Sequence, residues 1–105
     1  MGLNIYWMQN QGGTGNVQWS VYTYCAAVGT QVYGNSIPWN TPSSGAFPVP
    51  AGNNLAVIPF GPLVQTGCAP YDILYVMLQN TASGSGLTTY TSSVNVFGVQ
   101  LQVVQ

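Results

Sequence analysis

Residues 16–25, NVQWSVYTYC, alternate without a break. Val17, Trp19, Val21, Thr23 and Cys25 share one face, and Gln18, Ser20, Tyr22 and Tyr24 share the other. Period-two alternation is the signature of a half-buried strand. No other stretch of the chain shows helical periodicity to set against it. Thirteen glycines and seven prolines punctuate the 105 residues at short intervals, and Val, Tyr, Thr, Trp and Ile fill the spaces between them. This is the profile of an all-β protein. The expectation is a single domain, residues 1–105, forming an antiparallel β-sandwich or jelly-roll-like fold of six to eight short strands.

Further strands follow the same reasoning. LNIYWMQ (3–9) places Leu3, Ile5 and Trp7 on one face. The glycine-rich QNQGGTGN after it reads as a hairpin loop, since a phosphate-binding loop would need a Lys. TQVY (30–33) reads as a short strand. Residues 36–54, which hold four of the seven prolines, read as a long irregular loop. Trp39 and Phe47 within it must pack against something, either their own sheet or a neighbouring subunit. LAVIPF (55–60) reads as a strand that Pro59 confines to an edge. ILYVML (73–78) is apolar on both faces, which suits a central strand covered on both sides. Asp72 just before it ends a turn. In the last segment, Val94 and Val96 alternate on even numbers and Val99, Leu101 and Val103 on odd ones. A change of face at Phe97-Gly98 is what a β-bulge produces.

Charge narrows the function. Asp72 is the one acidic residue, and Lys, Arg, Glu and His are absent. Charged residues make up 1% of the chain, against about 25% in ordinary soluble domains. Nucleic-acid binding lacks the cations that neutralise phosphates. Nucleophilic triads lack His, and paired-carboxylate hydrolysis lacks a second acid. Metal sites lack a ligand cluster. The reading is therefore a non-enzyme with no cofactor, no metal and no nucleic-acid partner. A surface of amides and hydroxyls binds water but does not repel copies of itself. It also hardly titrates, which suits an acidic exterior.

Cys25 and Cys68 form an even pair. They read either as a disulfide closing a long loop, favoured by an exterior location, or as two buried thiols. The N-terminus lacks a basic region followed by an apolar run, so no signal peptide is expected. No apolar stretch is long enough for a transmembrane helix.

A neutral β-domain points to self-assembly into a homopolymeric helical filament. Terminal strands are the candidate contacts: Leu3, Ile5 and Trp7 in residues 1–9, and Val99, Leu101 and Val103 in residues 99–105. Each set can cross to a neighbour or pair within its own subunit. In length, Met start and near-absence of charge, with abundant Asn, Gln, Ser, Thr and Tyr, the chain resembles the surface-filament proteins of hyperthermophilic archaea and their viruses. In particular, it resembles those of the piliferous spherical viruses that infect Thermoproteus. It departs from archaeal type IV pilins, whose long apolar N-terminal helix has no counterpart in residues 1–13. The resemblance implies a filament subunit at the virion surface, outside the cell, reaching for host surfaces or glycans. A second reading is a small carbohydrate-binding or adhesin domain, with Tyr33, Trp39 and Phe47 as the sugar platform. A third is an oligomeric membrane barrel, for which only residues 16–25 and 88–104 approach the required strand length.

Overall fold

The computed structural model describes residues 2–9, 11–30, 37–52, 54–81, 85–90, 92 and 94–102. They form six strands and no helix: β1 (Gly2–Met8), β2 (Asn16–Ala26), β3 (Ser43–Pro48), β4 (Ala56–Phe60), β5 (Ile73–Asn80) and β6 (Asn95–Gln102). The strands make two three-stranded sheets, ordered β4-β1-β6 and β3-β2-β5. Every pairing is antiparallel. The all-β reading and the expected strand number hold.

The core comes from the alternation already visible in the sequence. Leu3, Ile5 and Trp7 of β1, Ile58 and Phe60 of β4, and Val17, Trp19 and Val21 of β2 form one buried cluster with Leu63 and Tyr90. The rings of Trp7 and Trp19 meet edge to face with centroids 5.4 Å apart, the arrangement aromatic quadrupoles favour. Phe47 of β3 meets Phe60 of β4 at 5.3 Å. Both contacts join one sheet to the other.

Three expectations change. Residues 9–15 do not close a hairpin, because β1 and β2 belong to different sheets. The segment instead carries the chain across the core. It is held by Gln9, whose side chain is fully buried. The Gln9 Oε1 accepts from the Gln11 and Gly12 amides at 3.0 and 2.7 Å. The Tyr90 hydroxyl lies 3.0 Å from the same oxygen, and Gln9 Nε2 donates to the Pro50 carbonyl at 3.1 Å. Gly15 completes the turn with φ of 140°. A Cβ there would stand 2.9 Å from the Tyr90 backbone, so no larger residue fits.

The second change is in residues 36–54. This stretch contains β3, paired with β2 from Asn16↔Pro48 to Val21↔Ser43. SSGAFP has no strand pattern of its own. The β2 backbone supplies its ladder, aided by a hydroxyl pair between Ser20 and Ser44 at 2.8 Å. The TQVY strand falls largely in 31–36, outside the described residues, as does Val103.

The third is β5, which is the terminal strand of its sheet rather than a central one. Pro59, by contrast, does lie in an edge strand, β4. The expected bulge is present too. Tyr6 pairs with Gly98 and Trp7 with Val96, so Phe97 is the extra residue.

The connection from β4 to β5 closes one end of the core. Leu63 is buried there. The Thr23 hydroxyl donates to the Val64 carbonyl, and Cys25 is bonded to Cys68 across a sequence separation of 43. Asp72 closes the turn by accepting the Ala69 amide at 2.9 Å.

Candidate assembly surface

Each sheet ends in two edge strands, and the sheets are arranged alike. Trp7 on β1 faces Trp19 on β2, and Phe60 on β4 faces Phe47 on β3. The strand orders therefore leave β6 and β5 together on the opposite flank.

On that flank the pattern of burial breaks down. Register pairs Leu101 with Leu3, Val99 with Ile5 and Val96 with Trp7. Directly opposed residues in a sheet point to the same face, so these three β6 side chains lie on the core side. Leu3, Ile5 and Trp7 are nonetheless no more than 2% exposed, whereas Leu101, Val99 and Val96 remain 45%, 49% and 44% exposed. The core stops at β1, and β6 overhangs it.

The facing sheet behaves in the same way. Val76 pairs with Thr23 and Leu78 with Val21. Leu78 packs against the core, but Val76 is exposed, and on the other face of β5 so are Ile73 and Met77. Phe97, pushed out by the bulge, adds a further exposed ring.

Neither β5 nor β6 contains proline or charge. Among the described residues, their outer backbone edges are guarded by neither proline nor charge, and the Phe97 bulge is the one edge-blunting feature the two strands hold. The β3/β4 flank differs: Pro48 ends β3, Pro59 lies within β4, and the Phe47–Phe60 contact bridges the two strands.

The residues singled out in the sequence divide accordingly. Leu3, Ile5 and Trp7 lie in their own subunit's core, in a strand paired on both sides. Val99 and Leu101 lie on the exposed flank. Trp39 packs edge-on against Tyr22 at 6.4 Å, and Phe47 packs on Phe60, so both loop aromatics rest on their own sheets. Tyr33 lies outside the described residues. Ile73, Val76 and Met77 were not among the candidates. Their signal was present as a strand apolar on both faces, but that pattern reads as burial.

Among the described residues, no group of three or more His, Cys, Asp or Glu could hold a metal, and no helix is long and apolar enough to cross a membrane. Comparison of the chain with protein-family models, curated proteins and solved structures returned no match.

Proposed function

We propose that this chain is a structural subunit, a β-sandwich that assembles with copies of itself into a filament at the cell exterior or virion surface and serves attachment. One observation carries the reading: apolar side chains are exposed along two strand edges, free of proline and charge, of a chain whose single charged side chain does little to keep copies apart. The shared core of the two sheets, with paired aromatic contacts between them, supports the sandwich arrangement. The disulfide and the non-titrating surface suit an oxidising, acidic exterior. The resemblance in size and composition to archaeal viral filament proteins points the same way. Sizing and negative-stain microscopy of the purified protein test the proposal. Filaments or high oligomers are expected, and a monomer that persists at high concentration overturns it.

A glycan-binding role has its own support on the outer face of the β3-β2-β5 sheet. There Tyr22 and Trp39 adjoin, and Tyr24 and Tyr75 pair at 6.4 Å, all half-buried with their amide and hydroxyl neighbours. Such rings can stack on sugars. A glycan array probed with the wild type and with Trp39→Ala separates the two roles. Binding lost in the variant while assembly persists assigns attachment to this face.

A further inference from the structure

We propose that the β5/β6 flank is the docking surface for the same flank of a second copy, joined strand edge to strand edge. This rests on the self-assembly reading and specifies its first contact.

The occupant is set by three properties of the flank. Its outer strand edges present main-chain N–H and C=O groups in a row, and the partner that satisfies such a row is another strand. Above and below that row lie Val96, Val99, Leu101, Ile73, Val76 and Met77, so the incoming strand must carry apolar side chains. The flank offers a charged partner a single ion, Asp72 beside Ile73, whose carboxylate already accepts the Ala69 amide. A copy of the same flank meets all three requirements and brings little repulsion.

The mismatch in β5 adds an independent argument. ILYVML has the composition of a strand covered on both faces, yet Val76 on its core side and Ile73 and Met77 on its outer side are exposed. An apolar partner at this flank gives β5 more of the cover its sequence fits. Places where local sequence and position disagree are where function is expected.

The geometry also sets the stoichiometry. The two open edges share one flank, so a copy that offers one edge offers both. The contact is self-complementary and closes on itself as a pair. A filament then grows from pair to pair through other surfaces, with the pair as its repeating unit.

The test is analytical ultracentrifugation of the full chain as wild type, as the double variant Val76→Lys with Val99→Lys, as each of its single variants, and as Val57→Lys, which puts a single lysine on an exposed position of β4 for comparison with those single variants. Circular dichroism checks that each variant is folded. The wild type and Val57→Lys are expected to pair and then to assemble further from the pair, and the double variant, which cannot form that repeating unit, to stay monomeric at concentrations at least tenfold above the wild-type midpoint. Hydrogen exchange on the wild type reads the same contact without a substitution: the outward-facing β5 and β6 amides, which bond to neither β2 nor β1, are expected to be protected in concentrated protein and to lose that protection on dilution.

Pairing by the double variant as by the wild type, or a loss in Val57→Lys equal to that in the single variants, overturns the docking surface and leaves self-assembly standing. A wild type that never associates overturns both. Protection of the β5 and β6 amides that appears only on adding phosphatidylcholine vesicles places a lipid surface there instead, and overturns the second-copy assignment.

Discussion

The two flanks of this molecule are built from the same kinds of parts and treat them differently. On the β3/β4 side, aromatic rings from both sheets meet across the core, and prolines sit in the outer strands. On the β5/β6 side, side chains on the core-facing side of β6 and β5 stay about half exposed, and neither strand holds a proline. One flank is finished within the chain and the other is not. The contrast teaches that a missing safeguard has meaning only by position. The whole chain holds one charged side chain, but the closed flank has proline and ring packing in place of charge, and the open flank has only the Phe97 bulge.

Substitutions can break this contrast. The largest effect is expected from Phe60→Ala, which empties the closed flank. It should cost about 3–5 kcal/mol in chemical denaturation, as buried Phe truncations do. Phe97→Ala on the open flank should stay within about 0.5 kcal/mol for the monomer. Replacing Cys25 and Cys68 by Ser removes the tie between β2 and the β4–β5 connection. The chain-entropy account gives a loss of about 3–4 kcal/mol for such a loop, measurable by comparing denaturation midpoints with the oxidised wild type, while the reduced wild type should match the variant.

Pro59→Val tests whether the proline itself guards β4. The monomer's stability should move by less than about 1 kcal/mol, consistent with an edge position. Light scattering of Pro59→Val in the Val76→Lys/Val99→Lys background should then reveal association through the newly opened edge. The smallest effect is that of pH. With one carboxylate and no basic side chain, few protons are exchanged on unfolding. The melting temperature should therefore change little between about pH 3 and pH 8. A steep acid transition would show that the flanks differ in more than packing and backbone pairing.

Much of this was legible in the chain itself. The alternation of Val17, Trp19 and Val21, and of Leu3, Ile5 and Trp7, gave both core faces, because burial on one side of a strand leaves a direct trace. The parity change at Phe97-Gly98 gave the bulge for the same reason. The β3 strand was hidden because SSGAFP owes its conformation to the β2 ladder beside it, and partners distant in sequence leave no local pattern. The path of residues 9–15 was hidden likewise, since the Trp7–Trp19 contact that sets it is tertiary. β5 misled because its residues are those of a covered strand, while among the described residues it pairs with β2 alone and leaves Ile73, Val76 and Met77 exposed.

Gln9 carries a last consequence. One amide oxygen gathers the Gln11 and Gly12 amides and the Tyr90 hydroxyl at the crossing between the sheets. A glutamate could accept the same donors, but it would take up a proton in acid and surrender part of the knot. An amide has no such second state. The junction that fixes how β1 hands the chain to β2 therefore has the same bonding capacity in strong acid as in neutral water. The fold gains acid tolerance at this position from a neutral group, with no ion pair to protect.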